Sequence, residues 1–487
     1  MSIVYDALFV GGEWVAPSGR ERIDVSSAST EQLLGSVPEG TGADIDRAVA
    51  AARAAFDDPA GWSAWSPQQR QAALVRLADA IDKRSDETVR RVSSQNGMPV
   101  SVGAYSEGVA PSYLLRYYAG LAAGEEVEQY RRSMAMGTTV VRNEPVGVVA
   151  AIVPWNFPQT LTFCKLAPAL AAGCTVVVKP APDTVLDAFL LAEAVAEAEL
   201  PAGVVSIVPG DGALGAYLVG HPGVDKVAFT GSTYVGRQIG EVCGRLLRPV
   251  TLELGGKSAA ILLDDVDLAA AMPAMAAATL GNNGQTCFLS TRILAPRQRY
   301  AEVVDAITAM AAGLQVGDPL DPATQVGPLV SATQRNRVER YIAAGKAQGG
   351  RLTTGGGRPA GLDQGWFVEP TVFADVDNQA TVAREEIFGP VLVVIGYDDE
   401  QHALALANDS EYGLGGTVWT ADEERGLDIA RRVRTGTVGV NGYALDIGAP
   451  FGGIKASGLG RELGPEALAT YRQTKAMYLP QRAFSQD

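Results

Sequence analysis

The segment KVAFTGSTYVGRQIG, residues 226–240, contains a short apolar run, a glycine-bearing turn and the start of an amphipathic helix. In the helix, Val235, Ile239 and Val242 recur at helical spacing. A second apolar run, VTLEL (250–254), follows. A strand, a crossover helix and a second strand in this order form the βαβ unit of a parallel sheet. The segment therefore predicts an α/β fold.

The same alternation of apolar runs and helical patterns extends in both directions from this unit. Upstream, from residue 147, the strand candidates are VGVVAAIV, CTVVVK and VVSIV. A second series, downstream of residue 256, contains TRILA, PVLVVIGY, GGTVWT and GTVGVN. Such alternation is typical of parallel sheets with helices on both faces, so the sequence predicts two α/β units. The intervening helices are predicted near 161–172, 184–198, 298–313, 332–347 and 422–433.

The two ends of the chain have their own patterns. The opening ALFVGGEWVAPSG alternates apolar residues around two glycines and predicts a hairpin, with helices near 43–57 and 67–83. Two later segments, RSMAMGTTVVRNEP (133–146) and TKAMYLPQRAF (474–484), fit neither α/β unit. Both predict strands, which either reach out to another subunit or form a solvent-facing edge.

The composition narrows the class of protein. A chain of 487 residues is long enough for two or three domains. The formal net charge of −15 argues against nucleic acid or an anionic membrane as a partner, because both need a basic surface. Four irregularly spaced cysteines without a C-x-x-C pair favour neither a disulfide framework nor a metal site. The N-terminus lacks a signal peptide, so we expect a cytoplasmic protein whose partners are small molecules and copies of itself.

Two features of the first unit are typical of a dinucleotide site. Gly231 and Ser232 form a turn at a helix N-terminus, where N–H groups and the helix dipole attract phosphate. The spacing to Gly236 lacks the middle glycine of the usual fingerprint, and a tight turn that merely needs glycine is an open alternative. Lys179 ends the run CTVVVK, at the carboxyl end of a strand where such sheets bind ligands. This position predicts a ribose or phosphate contact, or else a solvated lysine.

Cys287 lies in the polar run GNNGQTCFLS, where a structural cysteine would normally have apolar neighbours. A thiol with a pKa of about 8.5 is mostly protonated at neutral pH, so a nucleophilic role requires a group that favours the thiolate. The two histidines, His221 and His402, have no catalytic motif around them. Glu253, in the apolar run VTLEL, is the better candidate for a base, because burial raises a carboxyl pKa. The alternative is an edge-strand glutamate that faces water.

Six segments together resemble, in order, the signature segments of the aldehyde dehydrogenases. The likeness extends from the GGEW hairpin to the C-terminal tail. The segments are PWNFP (154–158), FTGSTYVG (229–236), LELGGKS (252–258), NNGQTC (282–287), EEIFGPV (385–391) and PFGGIKASGLGRE (450–462).

The resemblance implies a fold of three parts. A Rossmann-type dinucleotide-binding domain takes residues 1–132 and 147–256, and a second α/β catalytic domain takes 257–460. Residues 133–146 and 461–487 form a β-arm for oligomerisation and a tail. The resemblance thus implies a homo-oligomer, either a tetramer or a dimer.

By motif position, the resemblance implies that Cys287 is the nucleophile and Glu253 the general base. Asn156 and the backbone N–H of Cys287 form the implied oxyanion hole. Lys165 and Glu462 match positions proposed to carry protons away from the base, although an ion pair that fixes two elements explains them equally well. The cofactor positions are Val153, Pro154, Trp155, Lys179, Pro182, Gly212, Phe229, Gly231, Ser232, Val235, Leu254, Glu386 and Phe388. The substrate positions are Phe157, Leu161, Cys164 and Phe288.

The implied reaction is oxidation of an aldehyde to the carboxylic acid with NAD(P)+, through a cysteine thiohemiacetal and a thioester. Pro182 stands where NAD-preferring relatives often have a ribose-binding glutamate. Asp183 beside it and the lack of an added basic residue favour NAD and leave NADP use open. The implied substrate tunnel has no arginine or histidine, which predicts an apolar aldehyde: aliphatic, aromatic or terpenoid. The alternatives are a CoA-acylating semialdehyde dehydrogenase, a thioester hydrolase and a non-enzymatic structural protein.

Overall fold

The structure is a computed structural model that describes residues 2–124 and 126–484. The last three residues of the predicted tail, 485–487, lie outside the described residues, as do Met1 and Glu125. Within these two ranges, no helix is long and apolar enough to cross a membrane.

The helices agree with the predicted positions, with one difference in length. The helix predicted near 422–433 covers only Glu423–Ala430. The Asp422 side chain caps its start by accepting from the N–H groups of Glu424 and Arg425, and residues 431–433 form a turn and a bend. The α-helices of the described ranges are α1 (Gly42–Asp57), α2 (Pro67–Asp82), α3 (Ser85–Asn96), α4 (Val100–Ser106), α5 (Ala110–Ala123), α6 (Pro158–Ala172), α7 (Leu186–Glu197), α8 (Gly212–Gly220), α9 (Thr233–Arg245), α10 (Leu268–Leu280), α11 (Tyr300–Ala312), α12 (Ala332–Ala347), α13 (Thr381–Arg384), α14 (Glu400–Asn408), α15 (Glu423–Ala430) and α16 (Gly464–Thr470).

The strands form four sheets. The described strands are β1 (Ile3–Val4), β2 (Leu8–Val10), β3 (Glu13–Val15), β4 (Arg22–Ser26), β5 (Leu33–Pro38), β6 (Glu128–Arg132), β7 (Thr138–Pro145), β8 (Val148–Ile152), β9 (Thr175–Lys179), β10 (Val205–Ile207), β11 (Lys226–Thr230), β12 (Val250–Glu253), β13 (Ala259–Leu262), β14 (Arg292–Pro296), β15 (Arg351–Thr354), β16 (Thr371–Ala374), β17 (Val391–Tyr397), β18 (Gly416–Trp419), β19 (Gly439–Val440), β20 (Gly458–Leu459) and β21 (Arg472–Leu479).

The first large sheet has the order β20-β12-β11-β8-β9-β10-β2-β3, and β12 to β10 are parallel. The chain runs from β8 through β9 to β10 in one direction, and then returns to place β11 and β12 on the other side of β8. The strand order therefore reverses between β8 and β11. Open α/β sheets bind ligands outside the carboxyl ends of the strands at such a reversal.

Helices cover both faces of this sheet, which explains why its central strands have apolar residues on both faces. In β8, Val149 and Ala151 pack with α2, α5, α6 and α7 on one face. Val148, Ala150 and Ile152 pack with α1, α8 and α9 on the other face. The run VVAAI is therefore buried throughout, as expected for a parallel strand between two helical layers.

The second large sheet has the order β15-β16-β17-β14-β13-β18-β19 and is parallel from β16 to β19. Two apolar clusters cover its two faces. The loop between α10 and β14 carries Cys287, which packs against the core of the first sheet. The two sheets therefore meet at this residue.

The predicted limits of the three parts remain a prediction, and two strands cross them. The strand β20 lies in the range predicted for the second unit but pairs antiparallel with β12 of the first sheet. The strand β6, in the range predicted for the first unit, pairs with β7. In the same small sheet, β21 pairs with β7 along its full length, from Arg472 opposite Pro145 to Leu479 opposite Thr138. The two segments that fitted neither unit are thus strands of one sheet.

Candidate active site

A cavity of about 240 Å³ lies at the carboxyl ends of β8, β11 and β12, where the loop before β14 reaches the first sheet. It brings together nine of the residues predicted from the sequence. These are Pro154, Trp155, Asn156, Gly231, Ser232, Leu254, Cys287, Glu386 and Phe388. Four residues that sequence reasoning missed also line it: Thr230, Gly255, Gln334 and Arg337.

The other predicted cofactor residues do not line this cavity. Val153 follows β8 and is buried, and its N–H donates to the carbonyl of Lys179 (3.2 Å). Phe229 is buried in β11, and Val235 is exposed in the first turn of α9. Pro182 begins a short 3₁₀ turn after β9, and Gly212 begins α8.

Lys179 is buried and has an acidic environment. Its Nζ donates to the carbonyls of Pro180 and Gly210. Burial lowers the pKa of Lys179 to about 8, and the nearby carboxylates of Asp211, Glu39 and Asp183 act in the opposite direction. The alternative of a solvated strand-end lysine is therefore wrong, because the side chain is 5% exposed.

Cys287 is partly buried and faces the cavity. Burial raises the pKa of its thiol, and the carboxylates of Glu386 and Glu253 raise it further. A nucleophilic Cys287 needs a neighbouring group that favours its thiolate, and neither of these carboxylates can be that group. Among the residues that line the cavity there is no histidine, and His221 and His402 lie elsewhere.

Glu253 ends β12 and is 3% exposed, because β20 covers this edge of the sheet. The alternative of a water-facing edge residue is therefore wrong. Burial is the main cause that raises its pKa well above the usual range, and the charge of Glu462 adds to it. The carboxylate lies against the backbone of Gly452, where a Cβ would come within 2.4 Å of Oε1. Within the described residues, neither carboxylate oxygen has a hydrogen bond of ordinary geometry.

A buried ion pair lies next to this carboxylate. The Nζ of Lys165 is 2.7 Å from Oε1 of Glu462 and donates to the hydroxyl of Thr230 (2.6 Å). Both charged side chains are almost fully buried. Since Thr230 lines the cavity, the pair connects the cavity to the interior next to Glu253. The geometry fits a proton relay and an ion pair that joins α6 to the C-terminal segment equally well.

Asn156 is held from two sides. Its Nδ2 donates to the carbonyl of Gln285 (2.9 Å), and its own carbonyl accepts from Nδ2 of Asn96 (3.2 Å) and Nδ2 of Asn282 (3.0 Å). An amide nitrogen carries two protons, so one N–H of Asn156 is left to donate to a ligand. Sequence reasoning missed Asn96, which gave no signal beyond an Asn-Gly pair at a helix end.

The segment EEIF is fixed by two residues of α12. The Gln334 side chain donates to the carbonyl of Phe388 (2.7 Å), and Arg337 donates to the carbonyl of Glu386 (2.6 Å). Phe388 has a φ of 62°, which is strained for an aromatic residue, and its ring packs edge-on against Trp155 (5.2 Å). Oε1 of Glu386 accepts from the N–H of Gly256 (2.9 Å), and burial raises the pKa of Glu386 to about 7.

On the far side of Cys287, the predicted substrate residue Phe288 lies among aromatic rings. It stacks on Tyr443, with centroids 4.5 Å apart, and packs edge-on against Phe451 (6.1 Å). Tyr443 and Phe451 were not predicted, because both are far from Phe288 in the sequence and only the packed structure brings the rings together. Of the remaining predicted substrate residues, Cys164 is buried in α6, and Phe157 and Leu161 are partly exposed at its start.

Known proteins are similar to this chain along most of its length. The model of the Aldehyde dehydrogenase family matches residues 14–477. The geranial dehydrogenase of Castellaniella defragrans is 56% identical over 479 residues, which cover 98% of this chain and 100% of that protein. A Mycobacterium tuberculosis aldehyde dehydrogenase, solved in complex with NAD+, is 49% identical, has a TM-score of 0.97 and matches over 100% of both chains. Aldehyde dehydrogenase C from Pseudomonas syringae, solved as a cysteine-to-alanine mutant with NAD+ and octanal, is 40% identical, has a TM-score of 0.93 and matches over 97% of this chain and 96% of that one.

Proposed function

The chain belongs to the aldehyde dehydrogenase family, and from this membership we propose that it oxidises apolar aldehydes to carboxylic acids with NAD+ as the hydride acceptor. The observation that carries the proposal is that Cys287, Asn156 and Glu386 line one cavity together with the turn before α9. We also propose the limits of the dinucleotide-binding domain, the catalytic domain and the β-arm that the sequence predicts, and a homo-oligomer that is either a tetramer or a dimer.

The residues around the cavity fit a dinucleotide. Gly231 and Ser232 lie at the N-terminus of α9, which favours phosphate, and Lys179, at the carboxyl end of β9, would donate to a ribose hydroxyl. The Glu386 carboxylate would accept from the hydroxyls of the nicotinamide ribose, and Gly255 leaves room for it, because a Cβ there would come within 2.4 Å of Oε2. When bound, NAD+ supplies the acceptor for hydride. The acidic groups around Lys179 disfavour the extra phosphate of NADP+.

In the oxidation step, the Cys287 thiol gives its proton to water, and the sulfur of the thiolate adds to the aldehyde carbon, so that the carbonyl oxygen becomes an alkoxide. The free N–H of Asn156 and the backbone N–H of Cys287 stabilise this oxygen. The alkoxide then loses hydride and leaves a thioester on the sulfur. Asn156 suits this role because its amide is neutral, buried and already oriented by its bond to Gln285.

Hydrolysis of the thioester requires a base that accepts a proton from water. The raised pKa of Glu253 makes its carboxylate a stronger base than an exposed glutamate. Glu462 and Lys165 lie next to it and provide a route by which the proton leaves, through the ion pair described above. A CoA-acylating activity would not need this base. The comparisons support neither a CoA-acylating dehydrogenase nor a thioester hydrolase.

The substrate class is proposed from the aromatic side of the site. Phe288 and the stacked Tyr443 present apolar surface next to Cys287, and a second carboxylate bound against such surface would lose its hydration. Two relatives, a geranial dehydrogenase and an aldehyde dehydrogenase solved with octanal, support the same class.

The test is a panel of octanal, geranial, benzaldehyde and succinic semialdehyde, each assayed for NADH and NADPH formation. We expect the kcat/KM for octanal and geranial to exceed that for succinic semialdehyde by about tenfold or more. Cys287→Ser is the control and should be inactive while remaining folded. A preference for succinic semialdehyde would overturn the apolar class, and an acyl-CoA product on addition of coenzyme A would establish the acylating alternative.

A further inference from the structure

Three buried amide side chains form a closed ring that includes the candidate oxyanion donor. Nδ2 of Asn96 donates to the carbonyl of Asn156 (3.2 Å), and Nδ2 of Asn156 donates to the carbonyl of Gln285 (2.9 Å). Nε2 of Gln285 then donates to the carbonyl of Asn96 (3.3 Å). The three residues are at most 3% exposed. Each bond runs from one side chain to the backbone of the next residue, so the ring joins the end of α3, the loop after β8 and the loop before Cys287.

The amide orientations in this ring are determined by further contacts. The N–H of Met98 donates to Oδ1 of Asn96 (3.0 Å), and the N–H of Val330 donates to Oε1 of Gln285 (3.0 Å). The opposite end of each amide must therefore be the NH₂ group. Nδ2 of Asn96 also donates to the carbonyl of Trp155 (3.0 Å), so it holds two consecutive carbonyls of the loop after β8.

The ring also determines which end of the Asn156 amide faces the cavity. If this amide were reversed, its oxygen would lie against the carbonyl oxygen of Gln285, and two acceptors would face each other. The bond to Gln285 therefore keeps the nitrogen in place, and its second N–H is available to the cavity that Asn156 and Cys287 line together. Since Asn96 holds the backbone of Asn156, it controls where this N–H points.

We propose that Asn96 is a positioning residue for oxyanion stabilisation and acts through Asn156. The inference rests on the proposed function, because it assigns the oxyanion to Asn156. Removing the Asn96 amide frees the carbonyls of Trp155 and Asn156, while the bond from Asn282 to Asn156 remains. The donor is then misplaced but still present.

The test is a double-mutant cycle of Asn96→Ala and Asn156→Ala. Its readouts are single-turnover NADH formation from octanal and acyl transfer to Cys287 from a nitrophenyl ester, which needs no cofactor. We expect Asn96→Ala to slow both about tenfold alone, but less than about twofold when Asn156 is already alanine. Equal slowing in both backgrounds, or no slowing, would overturn the proposal.

Two controls separate positioning from a general loss of structure. Gln95→Ala removes a neighbouring buried amide of α3, which contacts Asp187 and Leu186 instead of Asn156, and should leave acyl transfer within about twofold of wild type. Iodoacetamide alkylation of Cys287 passes through no oxyanion and should be unchanged in Asn96→Ala. If Asn96→Ala does not fold, Asn96→Ser replaces it in the cycle with the same expectations.

The two readouts also separate this inference from the proposed function. If the effects of Asn96→Ala and Asn156→Ala are coupled in acyl transfer from the ester but the wild-type protein oxidises no aldehyde, the positioning role is supported and the dehydrogenase assignment is overturned. Aldehyde oxidation without coupling in either readout would retain the dehydrogenase and overturn the role of Asn96.

Discussion

Replacing Asn156 with alanine removes one of the two donors proposed to stabilise the alkoxide. The structure allows this effect to be separated from others. Asn156 is buried, and its side chain makes a hydrogen bond to the carbonyl of Gln285. The pKa of Cys287 is raised by burial and by the carboxylates of Glu386 and Glu253, and Asn156 is not among these causes. The substitution should therefore weaken the stabilisation of the oxyanion without changing the pKa of the Cys287 thiol.

Three free-energy magnitudes determine the expected result. Loss of one oxyanion donor costs about 2.7–4 kcal/mol, which lowers the rate by about two to three orders of magnitude. Leaving the buried carbonyl of Gln285 without its donor costs about 1–3 kcal/mol of folding stability. A change of one unit in the thiol pKa would correspond to only about 1.4 kcal/mol, so the oxyanion effect is the larger one. Asn156→Ala should thus be folded, less stable and slower by about a hundredfold or more.

The assay is single-turnover NADH formation with octanal, measured beside iodoacetamide alkylation of Cys287 and thermal unfolding. Asn156→Asp is the matched variant, because it preserves the shape of the side chain but places an acceptor where a donor is needed. It should be at least as slow as Asn156→Ala. A folded Asn156→Ala variant that loses less than about threefold in the single-turnover rate would refute the oxyanion assignment.

Three further predictions concern the base, the pH dependence of stability and the cofactor. Glu253→Gln should still form NADH in its first turnover but lose steady-state turnover, because an amide takes no proton from water; a steady-state rate within about threefold of wild type would contradict this role. Burial raises the pKa of Glu107 to about 8 from 4.5, so its contribution to stability is complete below pH 4.5 and is lost as the pH rises through 8. Glu107→Gln should therefore flatten the fall in melting temperature across this window, an effect of at most about 5 kcal/mol, and an unchanged profile would argue against it. KM should be higher for NADP+ than for NAD+, and Asp211→Asn, which removes a charge near Lys179, should narrow the gap; equal KM values in wild type would show that these charges do not select the cofactor.

Much of the first sheet could be predicted because its strands are buried on both faces. A run such as VVAAI in β8 has no alternation, and only a strand between two helical layers buries every residue. The order of the runs and helices predicted parallel α/β units with a ligand contact at the carboxyl end of a strand, whereas the reversal between β8 and β11, where the cavity lies, is a finding of the structure. Local patterns were sufficient because each strand and its crossover helix are neighbours in sequence.

Contacts between distant parts of the chain could not be predicted in this way. The strand β20 has two residues, too few for any periodicity, yet it covers the edge beside Glu253 and decides that this residue is buried. Asn96 has a sufficient local explanation, since an Asn-Gly pair commonly ends a helix. Its partners Trp155 and Gln285 are 59 and 189 residues away, and only the packed structure brings them together.

The environment of Cys287 bears on the proposed cysteine chemistry of a chain with two histidines. Burial and the carboxylates of Glu386 and Glu253 raise the thiol pKa, so these groups favour the thiol in the resting site. The same burial raises the pKa of both carboxyls, that of Glu386 to about 7, and a buried carboxyl that holds its proton repels the sulfur less. The protonation state of each of these groups therefore depends on the charge that a ligand brings into the cavity. Bound NAD+ would supply positive charge that favours the thiolate, and Glu253 would be a stronger base toward water than a solvated glutamate.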